Sequence, residues 1–263
     1  PSTARLRLIQ PFEDYRIDEG IPMKISTIKR LSLQILSITL LSGLLPLGAT
    51  AQTRIIFDTD IGNDVDDALA LAMVHAFTSR GEAQLLAVTT TKDNRWVAPY
   101  IDIVDTFYGR PDIPIGVVKN GKTPKDSPMI SIPAQRRRPN GTPVYPHRLL
   151  DGRNAPEAVA VLRRILSQQP DDSVTIVQIG FSTNLARLVQ TDRELIARKV
   201  HLLSMMAGDF SGGGPEYNIR IDIPAAKQLF DNWPTPIVIS GYDVGKTILY
   251  PARSIEHDFS YVA

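Results

Sequence analysis

An acid cluster limits most what this chain can become: Asp58, Asp60, Asp64, Asp66 and Asp67 place five carboxylates within ten residues. Ionised groups so close repel one another, and keeping them together in a folded protein is costly unless a cation neutralises them. The cluster also marks a junction. Ile55 to Phe57 reads as a short buried strand and Ala68 to Phe77 as an apolar helix, so the acids span the end of one element and the start of the next. In an extended strand Asp58 and Asp60 point to the same face. Asp66 and Asp67 fall in or just before the first helical turn, where negative charge is favoured. Both ends of the loop can therefore converge on one ion. All-oxygen donors suit a hard cation, Ca²⁺ or Mg²⁺, and the chain has no cysteine to act as a soft ligand. Capping by Asp64 or Asp66 alone explains only about two of the five acids. An EF-hand loop is excluded, because the fifth position from Asp58 is Gly62 and the twelfth is Leu69, where that loop needs an oxygen donor and a Glu.

Strand and helix patterns continue to alternate downstream. Leu85 to Thr90 reads as a strand and Val97 to Tyr108 as a helix stopped by Gly109 and Pro111. Residues 119–154 break the rhythm with Pro, Arg and Gly and no steady period, as either a functional loop or a solvated insertion, with Arg136 to Arg138 on a solvated face. Regularity returns with a helix from Pro156 to Leu166, a strand from Val174 to Ile179, a helix from Leu185 to Val189, a strand from His201 to Met206, a helix from Ala225 to Phe230 and a strand from Ile237 to Ser240. This order predicts an α/β fold with a mostly parallel sheet and crossover helices. No repeat or composition shift divides residues 52–263, which are expected to form a single domain. The 29 Lys+Arg and 28 Asp+Glu are interspersed. That pattern argues against nucleic acid as a partner and for a small molecule.

The first 51 residues read differently. Residues 1–22 mix charges without periodicity and are expected to be a disordered or spurious leader. From Met23, the basic Lys24, Lys29 and Arg30 precede an apolar run from Leu31 to Leu47 and then Ala49-Thr50-Ala51, the three regions of a secretory signal. Gln34 and Pro46 interrupt a run already shorter than a membrane span, so no stable membrane anchor is expected, and without cysteine there is no lipoprotein anchor. The expected location is secreted or periplasmic, after cleavage near Ala51.

The segment from Asp58 to Ala68 resembles the N-terminal aspartate cluster of the nucleoside hydrolases, a calcium-dependent N-ribohydrolase family. It carries two more residues between Asp60 and the Asp66-Asp67 pair than the best-known members, as in an exported branch of that family. Three further stretches follow in the family's order: Val88-Thr89-Thr90 through Asn94, Val177 through Leu185, and Glu216-Tyr217-Asn218 followed by Asp222. The resemblance implies a Rossmann-like nucleoside-hydrolase fold and calcium-dependent cleavage of the N-glycosidic bond of ribonucleosides. It implies Asp60 as general base and metal ligand, Asp67 and the Ile179 carbonyl as further metal ligands, and Asp66, Asn94, Glu216 and Asn218 as holders of the ribose. It also leaves a homo-oligomer open. Each assignment has a plainer counterpart: Asn94 capping the helix that follows, Glu216 and Asn218 in a surface turn after Gly212-Gly213-Gly214-Pro215, Asp222 as a helix cap, Asn184 as structural.

Complete members continue with several helices and a late metal-binding Asp after the segment resembling Gly241-Tyr242-Asp243. The expectation is therefore a chain without those C-terminal helices, and His257-Asp258 reads as an accidental match to the late pair. No leaving-group acid stands out: His75 is expected to pack within a helix and His147 lies in the irregular stretch. Two alternatives use the same residues. One is a secreted ribose- or nucleoside-binding protein, or an inactive fragment, without turnover. The other is a haloacid-dehalogenase-like phosphatase with Asp58 as nucleophile, which wants Thr or Val where Gly62 stands.

Overall fold

A computed structural model describes residues 52–258, so the expected leader and signal segment lie outside the described residues. Six strands form one sheet: β1 (Thr53–Thr59), β2 (Ala83–Lys92), β3 (Ile115–Lys122), β4 (Val174–Gln178), β5 (Val200–Met206) and β6 (Ile237–Ser240). Their spatial order is β3-β2-β1-β4-β5-β6, with every neighbouring pair parallel. The helices between them are α1 (Asp66–Ser79), α2 (Val97–Phe107), α3 (Pro128–Gln135), α4 (Ala158–Ser167), α5 (Thr183–Lys199), α6 (Tyr217–Ile221), α7 (Ile223–Asn232), α8 (Tyr242–Gly245) and α9 (Ala252–Asp258).

Alternation along β1 shows why the centre of the sheet is buried on both faces. Ile56 packs on one side with Leu162 and Leu166 of α4, Leu185 and Leu188 of α5 and Leu229 of α7. Ile55 and Phe57 point to the other side, against Leu71 and Val74 of α1, Ile101 of α2 and Ile130 of α3. Burying each such side chain contributes roughly 1.5–3 kcal/mol, so the two faces together anchor β1 at the middle of the sheet. From β1 the chain winds outward through β2 and β3, then returns to β4 on the opposite side and winds the other way. The crevice between the C-terminal ends of β1 and β4 is thus the switch point at which doubly wound sheets bind their ligands.

The expected α/β architecture holds, with local corrections. Residues 119–154 are not one loop: they contain the end of β3, all of α3 and a 3₁₀ turn at Gly152–Asn154. Strand β3 was hidden because Gly116, Asn120 and Gly121 depress its β propensity, yet as an edge strand it needs only one partner. Helix α3 was hidden by Pro128 and Pro133, although Pro128 at its first position loses no hydrogen bond. Pro156 lies outside α4. Glu157 is the N-cap there, accepting from Ala160 N at 3.0 Å, while Pro156 O accepts from Val117 N at 2.9 Å and ties the turn to β3.

Candidate functional site

Close packing of two strand tips builds the site. A Cβ on Gly180 would stand 2.5 Å from Thr91 Oγ1 and 2.6 Å from Asp60 N. Only glycine lets the chain leaving β4 press against the end of β1, and Ile179 N seals the approach by donating to Asp58 O at 2.8 Å. The acid loop then folds back on itself. Gly62 takes φ +108°, and Thr59 Oγ1 donates to Asp67 Oδ1 while accepting from Ile61 N at 3.1 Å. These bonds hold the start of α1 against the tip of β1.

The result is a cavity of about 360 Å³ at the switch point. Six of the seven residues singled out in the sequence line it: Asp60, Asp66 and Asp67 from the acid loop, Ile179 after β4, and Glu216 and Asn218 around the start of α6. Asp60 and Asp67 are only 4% and 3% exposed. Burial pushes the Asp60 carboxyl up to about 7, against the pull of Asn63 Nδ2, which donates to Oδ2 at 2.6 Å; the charges of Asp64 and Asp66 push it further. Asp67 is raised well above the ordinary range by burial first and by Asp60 next. Asp64 is raised by burial and then by Asp66.

Buried carboxylates such as Asp60 and Asp67 call for positive charge, and oxygen atoms of buried Asp67 and of the exposed Asp64 and Asp66 all lie within 4.8 Å of one another, close enough to share one ion. The donors are hard oxygens throughout, which fits a divalent cation of the calcium or magnesium type. From sequence alone Asp64 belongs to the acid cluster and is a candidate cap, without assignment as a metal ligand; its spacing ahead of Asp66 and Asp67 was the available signal. Tyr217 and Tyr242 also line the cavity, with Tyr217 tilted against Phe181 at 5.9 Å between ring centroids.

Glu216 and Asn218 have structural duties at the cavity wall. The Glu216 carboxylate caps α6, accepting from Asn218 N at 2.7 Å and Ile219 N at 3.3 Å, and also from Gly208 N at 3.1 Å. Asn218 Nδ2 donates to Ile179 O at 2.8 Å and Met206 O at 3.3 Å, bridging the ends of β4 and β5. Because a carbonyl oxygen has two lone pairs, Ile179 O retains one acceptor position.

Asn94 is placed elsewhere. Its Oδ1 accepts from Trp96 N at 2.8 Å and its Nδ2 donates to Pro124 O at 3.1 Å, beside a separate hollow flanked by Arg95, Lys119 and Arg153. Asp222 occupies the N-cap position of α7, but its carboxylate accepts from Thr183 Oγ1 at 2.7 Å. Asn184 is fully buried and donates to Asp58 Oδ1 at 2.8 Å and Thr90 O at 3.1 Å. Asp58 is itself wholly buried and also accepts from Thr89 Oγ1 at 2.6 Å, which removes it as the exposed nucleophile a phosphatase would need. His75 is buried against Asp105 (Nε2 to Oδ1, 2.8 Å) and stacked on Tyr108, and His147 Nδ1 donates to Tyr145 O at 2.6 Å.

Comparison with known proteins bears on the family and the fold. Residues 55–261 match the family described as inosine-uridine preferring nucleoside hydrolase. The pyrimidine-specific ribonucleoside hydrolase RihA of Salmonella agona is 32% identical over 222 residues, covering 77% of this chain and 64% of that protein. An uncharacterized protein of Schizosaccharomyces pombe is 30% identical over 215 residues, covering 77% of this chain and 65% of its own. Among solved structures, the plant nucleoside hydrolase PpNRh1 superimposes with a TM-score of 0.54 at 23% identity, covering 78% of this chain and 64% of that one, a likeness of fold. The chain thus spans less than two thirds of the length of these relatives.

Proposed function

The chain belongs to the inosine-uridine preferring nucleoside hydrolase family, and on that footing we propose that it hydrolyses the N-glycosidic bond of ribonucleosides, releasing ribose and the free base. One observation carries the reading: Asp60, Asp66, Asp67, Ile179, Glu216 and Asn218, drawn from three distant stretches of sequence, line one cavity at the switch point of the sheet. We propose calcium as the cation, held by Asp60, Asp67 and the Ile179 carbonyl, with Asp64 beside Asp67. When bound, it supplies Lewis acidity and offsets the carboxylates' charge.

The residues of the chain do the rest. Asp60 takes a proton from the attacking water as that oxygen bonds to C1′ of the ribose, and the electrons of the breaking C–N bond leave with the base. Positive charge building on the sugar is stabilised by the surrounding carboxylates, of which Asp60 and Asp67 are buried away from competing solvent. Asp66, Glu216 and Asn218 orient the ribose hydroxyls. Asn94 would join them only by leaving Trp96 N and Pro124 O.

Ribose release from uridine and inosine, assayed with calcium present, tests the proposal. The parent chain is expected to turn over at least one of them, and Asp60→Asn to lower kcat by about 10²–10⁴-fold with an unchanged circular-dichroism spectrum. No ribose from the parent would end the hydrolase reading. Near-parental turnover in the variant would remove Asp60 from the role of base.

A further inference from the structure

Behind the acid loop lies a polar chain of fixed direction. Lys92, the last residue of β2, is 3% exposed, and its Nζ donates to Asn63 Oδ1 and to Thr123 O, both at 2.8 Å. Asn63 Nδ2 in turn donates to Asp60 Oδ2 at 2.6 Å. Lys92 makes no ion pair among the described residues, so its charge meets the acids through one neutral amide.

The polarity of this chain has only one solution. An ammonium donates and never accepts, so the oxygen of the Asn63 amide must face Lys92 and its nitrogen must face Asp60. Asp60 Oδ2 is thereby committed as an acceptor, and Oδ1 is the oxygen left for the cavity. A direct Lys–Asp ion pair would hold the carboxylate too, but it would lower its basicity and compete with a cation for its oxygens. Passing the contact through an amide orients the carboxylate without quenching it. Burying an ammonium is costly and pulls Lys92 below its ordinary range; the two acceptors at 2.8 Å and the charges of Asp60 and Asp126 offset part of that cost.

We propose that Lys92 is a positioning residue for the reaction: acting through Asn63, it locks Asp60 so that Oδ2 is tied back and Oδ1 faces the substrate cavity. This rests on the role given to Asp60 above. Gly62 serves the same arrangement, since a Cβ there would stand 2.8 Å from Ile130 Cδ1 and 3.3 Å from Lys92 Cδ.

The experiment compares Lys92→Met, Asn63→Ala and the double variant in the full chain, with folding followed by circular dichroism and thermal melting. Each single variant is expected to lower kcat for ribose release about 10–100-fold, with KM within about twofold, as for a misplaced catalytic group. The double variant should be no worse than the poorer single, because both break one chain. A merely structural role would lower the melting temperature and leave the kcat of the folded protein unchanged; that result in Lys92→Met, or losses that multiply in the double variant, overturns the proposal. High-resolution crystal structures of parent and Lys92→Met provide a readout that needs no turnover. The Asn63 Nδ2 to Asp60 Oδ2 bond should be lost or its amide reversed in the variant, and its persistence overturns the proposal. If the parent releases no ribose, the functional reading fails and the crystallographic comparison alone decides the positioning role.

Discussion

Gly180 and Gly62 carry a burden that the acids around them cannot share. At Gly180 any Cβ meets the backbone of Asp60, an obstacle that cannot rotate away, whereas at Gly62 the nearest atom is the flexible tip of Ile130 and the penalty comes chiefly from φ +108°. Gly62→Ala should therefore cost about 1–3 kcal/mol, and Gly180→Ala more than Gly62→Ala, with the urea midpoint of each variant as the measurement. Equal midpoints for Gly180→Ala and the parent would contradict the packing of β1 against β4. The aspartates were legible because a run of like charge is a local signal. Lys92 was not, because its partner Asn63 lies 29 residues away and only the pairing of β2 with β1 brings them together. Asn94 exposes the limit of motif spacing: the motif locates it after β2, and its side chain instead accepts from Trp96 N, just ahead of α2, and donates to Pro124 O.

Among the elements, the 3₁₀ turn at Gly152–Asn154 shows how the irregular stretch is held down. Asp151 caps it, accepting from Arg153 N at 3.0 Å, and pairs with Arg153 Nη2 and with Arg95 Nη2 beside α2, each at 2.6 Å. Arg153 chiefly, then Arg95, holds the Asp151 carboxyl down to about 2 from an ordinary 3.8. A carboxyl depressed in the folded state binds fewer protons there than in the unfolded chain. Its contribution is thus complete above about pH 4 and disappears as pH falls through about 2. The stability gap between the parent and Asp151→Asn, measured by thermal melting, should be open at pH 6 and closed near pH 2. A gap that persists at the lower pH would refute the electrostatic origin. Strands β1, β2, β4 and β5 were readable since a central parallel strand is a run of apolar residues bounded by turns, and the edge strand β6 because its Ile237-Val238-Ile239 run has high β propensity. Strand β3 and helix α3 were not, because their glycines, prolines and polar residues look like loop until the neighbours supply hydrogen bonds and an apolar face.

The whole molecule concentrates negative charge at one point on the sheet, so cation binding should be coupled to stability. A ligand that binds only the folded state, at about a hundred times its Kd, adds about 2.7 kcal/mol. For a domain of this size that corresponds to a rise of roughly 5–10 °C in Tm. Calcium should produce such a shift in the parent, a chelator should reverse it, and Asp67→Asn should abolish it; a Tm indifferent to calcium in the parent would rule out a cation at the cavity. The sequence alone determined the alternation that makes a parallel sheet, the junction at which the acids fall and the order of the stretches that later line the cavity. Each of these is a property of neighbouring residues and survives in an unfolded chain. Which carboxylates are buried, which of Asn94, Glu216 and Asn218 reach the cavity wall and which cation stands behind Asp60 were decided by the tertiary structure. Those relations join residues from different strands, and they come into being only when β1 lies between β2 and β4 and Gly180 lets the strand tips close.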